Sequence, residues 1–148
     1  GCWHHGNDHW VFCLARGAAV EMKIPITEHF ELSELWSPDN GEILIDDLFF
    51  EHMALLEEMR EAIGVPLRVN SGHRSRHHNA EVGGARESMH LRFATDIAPL
   101  GNTDVALTDL FNLAEALGFE GIGQYNSFLH LDRRDLIGRR PARWDKRT

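Results

Sequence analysis

The run FATDIAP, residues 93–99, sets a carboxylate inside an apolar segment that closes on a proline. The simplest reading of such a run is a strand in the core. An aspartate there narrows what the chain can become, because an unpaired charge removed from water is costly. Asp96 needs a positive partner, and the sequence offers a metal ion, Arg74 or Arg92. Any fold for this chain has to bring one of them to that strand.

The surrounding pattern suggests how. Asp46 or Asp47 can cap a helix in which Leu48, His52, Leu55, Leu56, Met59 and Ile63 recur at helical spacing. Gly64 is its stop, and Pro66 prevents continuation. A short helical turn is expected at Ser33–Trp36, a buried strand at LRVNSG, and a short helix in SRHHNAEVGG that ends on Gly83–Gly84. A second long helix is expected from about Thr103 to Leu117, stopped by Gly118. GIGQY and FLHLD read as a hairpin. The tail, RRDLIGRRPARWDKRT, reads as basic and largely irregular, anchored by Trp144. Strands and helices do not alternate regularly, so the expected class is α+β, with a small mixed or antiparallel sheet and flanking helices.

A chain of 148 residues fits one domain, long enough to bury roughly 70% of its unfolded surface. Its net charge of −8 argues against a general nucleic-acid or anionic-membrane binder, the basic tail notwithstanding. The apolar runs are too short to span a bilayer. Cys2 and Cys13, the only cysteines, supply neither a disulfide framework nor a Cys-x-x-Cys metal site. The first residues lack the charged and apolar regions of an export signal, which is compatible with cytoplasmic synthesis. Patterned sequence begins near Met22. Residues 1–21 are therefore expected to be a disordered or non-native extension, and residues 22–148 a single, monomeric domain. His4, His5 and His9 then read as solvated tail histidines.

His130 and Asp132 stand two apart on an expected strand, so both leave the same face about 7 Å apart. His90 and Asp96 stand six apart, which on one straight strand means about 20 Å. They can meet only if the chain turns between them. Two histidines and an aspartate around one ion form a mixed nitrogen and oxygen site of the catalytic type, with a fourth position left for water. The plainer alternative is that each histidine is an ordinary satisfied residue and that Asp96 pairs with an arginine.

These motifs, in order, carry a resemblance. Ser71-Gly72-His73-Arg74-Ser75, His78-Asn79, Val82-Gly83-Gly84-Ala85, Ser88-Met89-His90, Ala94-Thr95-Asp96-Ile97, Gly121-Ile122-Gly123-Gln124-Tyr125 and His130-Leu131-Asp132 resemble the M15 peptidases. They are most similar to the M15A zinc D-Ala-D-Ala carboxypeptidases, and the likeness runs over about residues 22 to 145. It implies the Hedgehog/DD-peptidase fold, one zinc ion held by His90, Asp96 and His130, and a peptidoglycan peptide as substrate. By the same resemblance Arg74, with Ser71 in the same motif, would bind the substrate's terminal carboxylate, a task suited to a planar guanidinium. Asp132 or Tyr125 would manage the proton, the alternative for Asp132 being to orient an arginine or a ligand.

Two departures stand out. The family usually sets its histidine and aspartate seven apart, with a glycine between them; HLRFATD is one residue shorter and lacks that glycine. A loss in the loop is harmless, whereas a loss in the strand would turn Asp96 to the wrong face. Ile97 and Ala98 follow Asp96 as expected, which places the loss in the loop. Some M15 groups also carry an acidic base three positions before the last ligand histidine, where this chain has Ser127. The competing expectation is a peptide- or metal-binding module on the same fold, impaired in catalysis.

Overall fold

The computed structural model describes the backbone of residues 2–6, 9–13 and 23–148, and side chains from residue 23 onward. Five strands form the main sheet: β4 (Leu67–Ser71), β5 (Ala94–Pro99), β6 (Gly121–Gln124), β7 (Leu129–Asp132) and β8 (Ala142–Asp145). Their order is β4-β5-β7-β6-β8, with every pairing antiparallel except the parallel β6–β8 edge. A smaller sheet pairs β1 (Cys2–Gly6), β2 (His9–Cys13) and β3 (Ile43–Ile45). The remainder of the expected 1–21 extension, and its boundary at Met22, lie outside the described residues. With three α-helices among the described residues, this is the α+β architecture with a small mixed sheet that the sequence pattern implied.

Helix α1 (Asp47–Ile63) begins where Asp46 accepts from the Phe49 amide at 3.0 Å and ends on left-handed Gly64. It turns Leu48, Phe49, Met53, Leu56 and Met59 into the core. Each such side chain, fully buried, stabilises by about 1.5–3 kcal/mol before its ordering entropy is counted. Helix α3 (Leu107–Leu117) packs beside α1 and over β6 and β7. The apolar face of the sheet, with Ile97, Ile122, Leu129 and Leu131, meets both helices in one cluster. Strand alternation then turns Asp96, His130 and Asp132 to the opposite face.

Two expectations are corrected. The tail is not irregular: Ala142–Asp145 adds a strand parallel to β6. Ala142 and Trp144 are half-buried while Arg143 and Asp145 are exposed, and Arg143 donates to the carbonyls of Phe119 and Glu120. Helix α3 starts at Leu107 rather than Thr103, because Asp109 accepts from the Ala106 amide at 2.8 Å and sets the first turn there. The expected short helix is α2 (Arg76–Glu81), capped by Ser75. The expected turn near residue 33 is a 3-10 turn at Leu32–Glu34.

Candidate metal centre

The antiparallel register of β5 and β7 sets Asp96 directly opposite His130. His90 arrives from a 3-10 turn, Met89–Leu91, whose start is held by the Ser88 hydroxyl accepting from the His90 amide. The chain turns at Leu91–Phe93 before β5 begins, so the short spacing is absorbed in the loop and Asp96 keeps its face. His90 Nε2 lies 3.2 Å and His130 Nδ1 3.0 Å from Asp96 Oδ1. Two ligands at zinc distances on neighbouring corners of a tetrahedron stand about 3.3 Å apart, so the spacing suits that ion. Among the described residues this is the group of three whose donor atoms cluster in this way, and all three are buried.

The outer partners fix which ring nitrogen faces the centre. His90 Nδ1 lies 2.7 Å from the Gly72 carbonyl, which can only accept, so the proton sits on Nδ1. His130 Nε2 lies 2.7 Å from Asp132 Oδ2, and that carboxyl is held well below the usual carboxylate range. Burial would raise it, but hydrogen bonds from Arg134 and His130 prevail. The His130 proton therefore sits on Nε2. In the neutral tautomers that these partners favour, His90 Nε2 and His130 Nδ1 turn lone pairs toward the Asp96 carboxylate, a convergence that either a bound cation or a further proton on an imidazole satisfies. Burial lowers His90 despite its bond to Asp96, so His90 resists taking an extra proton. His130 shifts the other way: burial opposes its charge, but bonds to Asp132 and Asp96 outweigh burial and raise it. Asp96 stays ionised, since hydrogen bonds from His130 and His90 overcome its desolvation. Outer-shell carbonyl and carboxylate partners of this kind orient metal-binding imidazoles.

Arg74 lies beside the cluster. Its guanidinium is 3.5 Å from Asp96 Oδ2, donates from Nε to Ser71 Oγ at 3.1 Å, and reaches Asn79 Oδ1 at 3.4 Å. A bulge at Asn70 in the β4–β5 ladder brings Ser71 opposite Asp96. Asn79 is anchored through its Nδ2 to the Ala85 carbonyl at 2.9 Å. A Cβ at Gly84 would overlap Asn79 Oδ1 and crowd Arg74, which explains the glycine in VGGA. Ser71 thus reaches the site by steering Arg74.

Asp132 enters from behind. It is fully buried, receives the Arg134 side chain at 2.9 and 2.8 Å and the Arg134 amide at 3.0 Å, and touches the ring edge of His130 that faces away from Asp96. It does not line the cleft of about 580 Å3 that opens on His90, Asp96 and His130. Tyr125 does line it, stacked on Phe128, with its hydroxyl accepting from Trp144 Nε1 at 3.1 Å. Trp144 packs against the His130 ring, and the Arg134 guanidinium sits over the Trp144 ring, 5.1 Å from its centroid. The two glycines of GIGQY make room: a Cβ at Gly121 would overlap the Asp132 carboxylate, and one at Gly123 would overlap Trp144.

Sequence reasoning missed several supports. Gly72 lends its carbonyl to His90, Asn79 steadies Arg74, and buried His73 bridges the Arg92 carbonyl and Glu42. Ser37 and Asp39 hold Ser75 at the start of α2. The motif Ser71-Gly72-His73-Arg74-Ser75 held Gly72 and His73, and the His78-Asn79 pair held Asn79; Ser37, Asp39 and Glu42 gave no signal.

The sequence profile of the family described as Peptidase M15 matches residues 28–132, well over half of the chain, and the match includes His90, Asp96 and His130. No curated protein matches the chain.

Proposed function

Because the chain belongs to the M15 peptidases, we propose that it is a zinc-dependent hydrolase that releases the C-terminal residue of peptidoglycan stem peptides such as those ending in D-Ala-D-Ala. The observation that carries this reading is the convergence of His90 Nε2, Asp96 Oδ1 and His130 Nδ1 beside a guanidinium. His90, Asp96 and His130 would hold the ion. A zinc bound there supplies a Lewis acid that brings the pKa of water toward neutrality and polarises a carbonyl.

The chain's own residues do the rest. Arg74, aimed by Ser71 and Asn79, receives the substrate's terminal carboxylate through two parallel hydrogen bonds. That grip places the scissile bond over the cluster and raises its effective concentration there. Tyr125 accepts the Trp144 proton, so its own hydroxyl proton is available to donate into the cleft. Asp132 acts through His130, fixing its tautomer, rather than on substrate. The test is release of D-alanine from a synthetic stem peptide, with and without a chelator. The reading expects release that stops on chelation and returns with added zinc.

A second reading keeps the cleft but not the chemistry. Ser127 stands where some relatives have an acidic base, and Asp132 lies behind His130, so the acids lining the cleft are Asp96 and the exposed Glu87. A peptide binder that holds zinc without releasing D-alanine would satisfy that reading and exclude the first.

A further inference from the structure

The cleft is not the end of the cavity. A second groove, of about 820 Å3, adjoins it across Arg74, Glu87, Ser88 and Arg139, and none of the three clustered metal-site residues lines it. It opens at the Arg74 end of the cleft, away from Tyr125 and Trp144. Its charge runs against that of the chain: Arg74, Arg76, Arg92 and Arg139 line it, with Glu42 and Glu87 as the acids. Glu42 is occupied by His73 at 3.1 Å. Arg139 is held by Glu87, at 2.8 Å from its carbonyl and 4.0 Å from its carboxylate, and Arg92 reaches Asp46 only at 3.5 Å while 45% exposed. Arg76 has no acidic partner among the described residues. In a protein of net charge −8, a concave surface this rich in guanidinium is a place for an anion.

We propose that this groove is a second subsite, which takes an additional carboxylate of an acidic peptide on the leaving-group side of the scissile bond. The proposal rests on the peptidase reading, in which Arg74 grips the carboxylate of the leaving residue. Whatever extends from that residue then enters the groove. The additional carboxylate is that of the leaving residue's own side chain, because a residue following it would turn the carboxylate held by Arg74 into an amide. Arginine suits it, since its fork recognises carboxylate geometry.

Two peptides test this, sharing one acyl part and ending in D-Ala-D-Ala or D-Ala-D-Glu. The zinc-loaded protein is expected to favour the acidic peptide over the neutral one by about tenfold in kcat/KM. In Arg76→Glu the ratio should fall to about one, and in Arg92→Gln it should fall by about threefold. Both positions are exposed, and thermal midpoints check that the variants fold. A wild-type ratio near one, or an unchanged ratio in both variants, overturns the subsite. Titration of the same proteins with triglutamate separates this result from failure of the peptidase reading. Binding that weakens at least tenfold in Arg76→Glu upholds the groove even if no peptide is cut. Absent binding to the wild type at millimolar concentration, or equal binding to both, overturns it.

Discussion

Replacing Asp132 with asparagine tests how the centre is assembled. The wild-type carboxylate does two things: it receives the Arg134 fork, and it receives the His130 Nε2 proton at 2.7 Å. Asparagine keeps the shape but has one oxygen. If that oxygen stays on Arg134, its amide donates toward His130 Nε2, and two donors then oppose each other. The ring resolves this by moving its proton to Nδ1, the atom that faces Asp96 and the metal position. Loss of an outer partner of this kind costs about 10- to 100-fold in metal affinity, or about 1.4–2.7 kcal/mol. Arg134→Gln is the control, because it removes the fork but leaves the carboxylate on His130; its zinc affinity should change by less than about threefold, while its stability falls as in the first variant. The assay is competition for zinc against a chromophoric chelator at a temperature where circular dichroism shows every variant folded. Wild-type zinc affinity in Asp132→Asn, or an equal loss in Arg134→Gln, would refute the tautomer mechanism.

Other expectations follow from the same geometry. Gly123→Ala displaces Trp144 from the His130 ring, so kcat/KM should fall by about tenfold or more, with a matching loss of tryptophan environment in near-UV circular dichroism. Arg74→Lys keeps the charge but not the fork; use of peptides with a free terminal carboxylate should drop about 100-fold with little change in thermal midpoint, and an equal loss on amidated peptides would show that Arg74 is structural. His52 is fully buried against Thr95, and burial pushes its pKa from 6.5 to about 3. The unfolded chain takes up that proton first, so this stability is present above about pH 6.5 and lost as pH falls toward 3, by up to about 5 kcal/mol; His52→Gln should flatten the acid limb of the stability profile, as read by urea unfolding at several pH values. A chain starting at Met22 should retain the main sheet and its zinc, measured by thermal melting and metal content.

What could be read in advance was local. Asp46 and Gly64 bracket α1 with standard caps, and the runs FLHLD and FATDIAP assigned His130 and Asp96 to strands, while their facing each other came from the register of β5 on β7. The identity of the cluster was legible because each of its members lies in a short motif whose parts stay together in space. The rest depends on contacts between distant segments. β8 carries more charge than an ordinary strand, and it forms because Trp144 finds the space over Gly123 and Arg143 reaches the carbonyls of Phe119 and Glu120. The bulge at Asn70 appears only once β4 is aligned on β5. Likewise, the sequence left Asp132 as either a proton carrier or a residue that orients an arginine or a ligand, and only the folded chain brings its oxygens to Arg134 and His130.

The central claim is that His90, Asp96 and His130 hold one zinc ion with which this protein cuts peptides. Metal content by mass spectrometry, measured on the purified wild type and on Asp96→Ala after both are dialysed against buffered zinc, tests it most directly. The account predicts one zinc per wild-type chain and almost none in Asp96→Ala, with Arg74→Lys as a folded variant that keeps the full equivalent. A wild type without stoichiometric zinc, or an Asp96→Ala protein that retains it, would contradict the account.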